Sequence, residues 1–287
     1  MDISIITPVY HGNKYINSYL KSILKASDKI LNNVEVILVN DSPEVKIEYD
    51  ENLASKIKFR IIENKNNMGI HKSRVAGVRE AKGKYILFLD QDDEITENAL
   101  VTQLDIIQNG ADIVLGNGIY EDGKKLNKIF ANKFSQNFSV KKLPYLLARN
   151  FIISPGQCLI KKESIPEYWL NNIMQVNGAD DYLLWLLMFN NNAKIECNYN
   201  VIYIHKYTGE NVSLNNEKMY KSQLDLIQVL EKNEEYKKRD LKKLKRAINY
   251  KHNYKNHFFV ETLKNLDIFI YNVCYKILWN GYTIKSK

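Results

Sequence analysis

Short apolar runs alternate with stretches of helical period through the first half of the chain. Ile3–Thr7, Val34–Asn40, Lys58–Ile62, Lys84–Leu89 and Asp112–Leu115 are rich in Ile and Val and show little polar alternation. Such runs predict strands covered on both faces, as in a parallel sheet. Between the first two, Ile16, Leu20, Ile23 and Leu24 recur at i, i+4, i+7 and i+8, which predicts an amphipathic helix. Between the third and fourth, Ile70, Arg74, Val78 and Ala81 fall on helical spacing, and Gly83 stops that helix. Strand–helix–strand order with short connections predicts right-handed crossovers and an α/β sheet.

Beyond Leu115 the pattern changes. Asp122-Gly123 between strand-like flanks signals a hairpin, and "GQCLIKKE" (156–163) reads as a strand. "DDYLLWLLMFN" (180–190) reads as a buried helix opening on acids, which a helix N-terminus favours. "KIECNYNVIYIHKY" (194–207) reads as a strand or a hairpin, and from Glu217 the period is helical and Lys-rich.

Charge divides the chain where this last pattern begins. Residues 217–287 hold 16 Lys and Arg against 8 Asp and Glu, whereas 25 of each sign balance over residues 1–216. The whole excess of +8 therefore sits in the last quarter. The reading is a domain over 1–216 and a basic helical extension over 217–287. The start of the chain lacks a signal-peptide pattern, and no uncharged apolar run is long enough to span a bilayer. Cys158, Cys197 and Cys274 lie too far apart for a zinc motif or a disulfide framework. A reducing, cytoplasmic setting is expected.

The informative chemistry lies in "YILFLDQDDEIT" (85–96). An apolar strand ends in Asp90, Asp92 and Asp93, and ligands of doubly wound sheets bind at the carboxyl ends of strands. Asp41 ends "VILVN" in the same way. Two carboxylates about 4 Å apart repel by roughly 4 kcal/mol at an effective dielectric of 20. A divalent cation would remove that cost, and hard oxygen ligands favour Mg²⁺ or Mn²⁺ with substrate phosphate completing the shell. The competing reading makes these acids decoration for a helix beginning near Thr96.

"TPVY" (7–10), "VNDS" (39–42), "NMGIHKSRVAGVREAKGKYILFLDQDD" (67–93) and "GADDYLLWL" (178–186) together resemble the inverting glycosyltransferases of family 2, over about residues 1–215. The resemblance implies the glycosyltransferase-A fold, a mostly parallel sheet flanked by helices. It implies that Thr7, Pro8 and Tyr10 line the nucleotide pocket, with Asn67 and Gly69 nearby. It places Asp41 on the base and Arg74 on the base or diphosphate. Asp90-Gln91-Asp92 takes the place of the D-x-D motif, with Asp90 towards the ribose and Asp92 on the metal. Asp181 would deprotonate the acceptor, with Asp180 as helper. His205, aided by Lys206, would meet the metal or a phosphate, and "SPGQC" (154–158) would border the acceptor and donor sugar.

The implied reaction is a single displacement from a nucleoside diphosphate sugar, UDP being the family's commonest carrier. The acceptor would be a glycan, a lipid-linked acceptor or a glycoprotein. A non-catalytic nucleotide-sugar-binding or scaffold protein is the alternative from another class. A sugar nucleotidyltransferase is disfavoured, because "TPVYHGNKY" lacks a Gly-rich basic phosphate loop. The basic, aromatic-interleaved tail fits an anionic membrane surface, which would make the protein peripheral on the inner membrane face. Packing of these helices on the domain or on another copy is the competing reading. No motif points to a specific nucleic acid.

Overall fold

The computed structural model describes residues 1–122, 125–206, 215–254 and 257–284. Four parallel strands form its first half: β1 (Ile3–Val9), β2 (Val34–Asn40), β3 (Lys58–Glu63) and β4 (Tyr85–Phe88). Then come β5 (Glu94–Ile95), β6 (Ile113–Asp122), β7 (Lys125–Lys128), β8 (Cys158–Lys161) and β9 (Ile195–Lys206). They form one sheet in the order β3-β2-β1-β4-β8-β6-β9-β5, with β7 paired to β6. Only β5, β7 and β8 run antiparallel to their neighbours, so the sheet is mostly parallel, as expected.

Side chains of the central strands alternate between two cores because strand period is two. Ile3, Ile5, Val36, Leu38, Tyr85 and Leu87 face the helix Asn13–Ser27 and its neighbours. Ile6, Ile37, Val39, Ile86 and Phe88 face the other core, with the helices Ile70–Glu80 and Asp180–Asn190. Both faces are thus covered, which is why these strands read as unbroken apolar runs. The register aligns Val9 with Asn40, so β1 and β2 end level, and β4 stops opposite Ile6, short of the end of β1, which sets the segment after Phe88 beside the last residues of β1.

Three local readings are resolved. Of the segment 194–207, Ile195–Lys206 form one long strand, β9, which pairs with β6 along almost its whole length through a register shift near Asn117. The helix expected near Thr96 begins at Ala99. Glu94 and Ile95 pair instead with β9, and Thr96 donates from its backbone to Ile202 and from its hydroxyl to Val201. Asp90, Asp92 and Asp93 therefore do not cap that helix. The hairpin is present, with Asp122 opposite Lys125, and its tip at Gly123 and Lys124 lies outside the described residues.

The change in charge near residue 216 is no boundary in packing. Leu226, Ile227, Val229 and Leu230 of the helix Asn216–Glu231 belong to the same core as β4 and the helix Asp180–Asn190. Leu244 and Ile248 of the helix Lys238–Asn253 join it. Asp240 pairs with Lys142 at 2.5 Å, and Tyr168 donates to the Val229 carbonyl at 2.8 Å. Two further helices, Phe258–Lys264 and Leu266–Ile284, follow, and no helix among the described residues is long and apolar enough to cross a membrane.

Candidate active site

The site forms where β1, β2 and β4 end. Asp41 directly follows β2 and is buried, and a buried carboxylate needs donors. It accepts from Asn64 Nδ2 at 2.7 Å, from the Met68 amide at 2.7 Å and from the Gly69 amide at 2.9 Å. Asp41 thereby holds the turn that starts the helix Ile70–Glu80. Asn67 lies exposed on that turn, and its Oδ1 accepts from the Gly69 amide at 3.2 Å. Gly69 has φ +85°, a left-handed conformation open to glycine, and a Cβ there would lie 2.7 Å from Asn177 Oδ1. The same Asn177 oxygen accepts from the Ile70 amide at 3.1 Å. The turn before the acid pair Asp180-Asp181 is thus fastened to the start of the helix that carries Arg74.

Arg74 joins the two halves of the site. Its guanidinium donates through Nη2 to Asp90 Oδ1 and through Nη1 to Asp180 Oδ2, each at 2.7 Å. The Arg74 and Asp180 side chains are 4% exposed and Asp90 is 28% exposed. A planar fork with fixed donors suits this double role where a lysine would not. Sequence reasoning placed Arg74 on the base or diphosphate; its Nη atoms are instead committed to two carboxylates. Its Nε is buried without a hydrogen-bond partner.

Asp181, next in the chain, keeps a solvent-facing edge. Its Oδ1 accepts from the Tyr182 amide at 2.7 Å and its Oδ2 from Asn150 Nδ2 at 2.9 Å. Burial and the neighbouring Asp180 charge push its carboxyl up to about 7, against the opposing pull of Arg74 and these two donors. A carboxylate poised there can take a proton near neutrality.

Beyond β4 the acids divide. Asp92 is partly exposed, and burial followed by the charges of Asp93 and Asp90 raises its carboxyl to about 7. Asp93 is buried and structural: it accepts from the Tyr203 hydroxyl, from His205 Nδ1 at 3.1 Å and from the Lys206 amide at 3.1 Å. Burial works against a charged His205 ring, but Asp93, with Asp90 and Asp92 behind it, outweighs that and raises its pKa. Lys206 pairs with Glu94. The segment 207–214 that follows lies outside the described residues. Gln91 exchanges two hydrogen bonds with the Tyr10 backbone, at 3.0 and 3.1 Å, and leaves the Tyr10 ring half exposed at the mouth. Pro8 is partly exposed at the end of β1. Thr7 does not line the mouth: it is fully buried, and its hydroxyl bonds that of Tyr19. In "SPGQC", Ser154 lies 3.4 Å from Asp90 Oδ2, so this turn does reach the site.

The profile of "Glycosyl transferase family 2" matches residues 4–169 of the chain, more than half of its length. The chain belongs to glycosyltransferase family 2. An uncharacterised glycosyltransferase of Haemophilus influenzae is 30% identical to this family 2 chain over 208 residues, covering 71% of the chain and 76% of the relative. The glycosyltransferase GlyG of Streptococcus pneumoniae is 29% identical over 187 residues, and the match spans 59% of this chain and 60% of GlyG. The minor teichoic acid biosynthesis protein GgaB of Bacillus subtilis is 31% identical over 151 residues, only 17% of its own length. Among solved structures, S. aureus TarS 1–349 in complex with UDP-GlcNAc superposes with a TM-score of 0.68 over 90% of this chain and 75% of that one. At 19% identity that is a likeness of fold.

Sequence reasoning missed four positioning residues: Asn64, Asn150, Asn177 and Tyr203. Each is neutral and lies far along the chain from the acid or backbone it serves, so nothing in local spacing marks it.

Proposed function

We propose that this family 2 chain transfers a glycosyl group from a nucleoside diphosphate sugar, UDP-linked, to a hydroxyl of a glycan or lipid-linked acceptor, with inversion. The observation that carries the reading is the Asp90–Arg74–Asp180 bridge, which sets the acid ending β4 beside the acid pair that opens the helix Asp180–Asn190. Asp181 takes the acceptor proton while the hydroxyl oxygen attacks the anomeric carbon and the bond to the diphosphate breaks. Asn150 and the Tyr182 amide aim its carboxylate. The UDP assignment is supported by the fold shared with TarS, whose complexes contain UDP and UDP-GlcNAc. Sequence likeness to GgaB favours a cell-envelope polymer as acceptor.

A divalent metal fits this reading. Among the described residues no three His, Cys, Asp or Glu side chains converge as a complete metal site. Asp92 and His205 would instead form part of a shell. His205 is fastened to Asp93 through Nδ1, which leaves Nε2 as its ligand atom, the arrangement in which a carboxylate orients a ligating imidazole. Bound there, Mn²⁺ or Mg²⁺ would offset the charge of the departing diphosphate. The domain over 1–216 would supply all of these groups, with 217–287 as its support.

The test is transfer and nucleotide release by the Asp181→Asn variant, beside a thermal-shift panel of nucleotide sugars with and without Mn²⁺. Transfer should fall at least about a hundredfold, with donor affinity within a few fold of wild type. Normal transfer by that variant would remove Asp181 from the mechanism. Stabilisation by no nucleotide sugar would favour the scaffold alternative.

A further inference from the structure

We infer that the helix Phe258–Lys264 and residues 266–273 of the helix Leu266–Ile284, with the outer face of the helix Lys238–Asn253, form a docking surface for an anionic phospholipid bilayer. Seven of the thirteen exposed large apolar side chains among the described residues lie between positions 258 and 273. Phe259 and Leu263 are each 79% exposed. On the last helix Leu266, Ile270 and Val273 recur at i, i+4 and i+7 and all face outwards. The inner side of the same helix is already used: Ile268 is buried against Ala247 and Tyr250, and Asn272 donates to the Leu147 carbonyl at 3.1 Å. A helix apolar on its outer face as well as its inner one requires a second cover.

The charge beside this face selects the cover. Lys238, Lys242, Lys245 and Arg246 stand on one side of the helix Lys238–Asn253, around a concavity of about 310 Å³, with Lys245 paired to Glu231. Arg246 reaches across to Asp267 at 2.7 Å and to Asn265 at 3.4 Å, so the cationic face and the apolar stripe adjoin. A second copy of the chain would bring the same cationic surplus against itself in a two-fold contact. A nucleic acid would leave the apolar stripe without a complement. An anionic bilayer satisfies both parts, with headgroups on the lysines and the apolar side chains at the acyl boundary. The inference goes beyond the catalytic reading and does not depend on it.

The full chain is tested by flotation with vesicles of phosphatidylcholine alone and of phosphatidylcholine with phosphatidylglycerol. The expected result is flotation with the anionic vesicles, lost in high salt, and little with the neutral ones. Lys238→Glu with Lys242→Glu should weaken it by more than about tenfold, since each lysine near such a surface is worth about fivefold. Phe259→Ser with Leu263→Ser should weaken it comparably without moving the melting temperature, because both side chains lie in solvent. Equal binding to both vesicle types, or to neither, overturns the inference. So does a concentration-dependent dimer, seen by light scattering, that the Phe259 and Leu263 changes dissociate while flotation is unaltered.

Discussion

Replacing Arg74 by methionine removes the guanidinium and keeps much of the packing volume. Asp180 is then left buried without its cation, and Asp90, 28% exposed, loses its own. Breaking a buried ion pair by deleting one partner costs about 3–5 kcal/mol, because the remaining charge is desolvated and unpaired. Asp90 adds less, since water reaches it. The expected loss is about 4 kcal/mol, a fall in melting temperature of roughly 10 °C at 2–4 °C per kcal/mol. Thermal and urea unfolding at neutral pH measure the loss. Adding Asp180→Asn to Arg74→Met removes the stranded charge and should return about 2 kcal/mol, which a double-mutant cycle isolates. A loss under about 1 kcal/mol for Arg74→Met, or no recovery in the double variant, would refute the bridge as a buried electrostatic tie.

Further outcomes follow from the same geometry. Asn150→Ala removes a donor that favours the ionised form of Asp181, so the acidic limb of the transfer rate, set near pH 7, should move to higher pH while donor affinity stays unchanged; an unmoved limb would exclude Asn150 as the group that tunes the base. Gly69→Ala should cost about 1–3 kcal/mol, since the residue sits at φ +85° and its new Cβ meets Asn177; equilibrium unfolding with transfer kinetics would show stability and donor affinity falling together. If His205 holds the proposed metal, Asp93→Asn should disturb its ring and weaken the Mn²⁺ dependence of the thermal shift without abolishing donor binding.

Hydrophobic period alone was enough to place β1, β2, β3 and β4 and the two helices between them, because a strand buried on both faces and a one-sided helix leave different repeats. The acids at the strand ends were legible for the same reason: a carboxylate at the end of an apolar run has no part in the run. The α/β architecture and the candidate site at one sheet edge were therefore readable in advance. Which acid does what was not. Asp90, Asp92 and Asp93 are neighbours in sequence, yet one is bridged by Arg74, one stays partly open to solvent and one is consumed by Tyr203, His205 and Lys206. Arg74 lies on the helix just before β4, whereas the partners of Asp93 lie far along the chain on β9, and only folding brings them within hydrogen-bond reach. The same holds for Asn150, 31 residues before Asp181, and for the helix Asn216–Glu231, which by its place in the sequence belongs to the tail and by burial belongs to the core. Local pattern reports what a segment can bury; the choice of partner for a charged or amide side chain is a property of the closed structure.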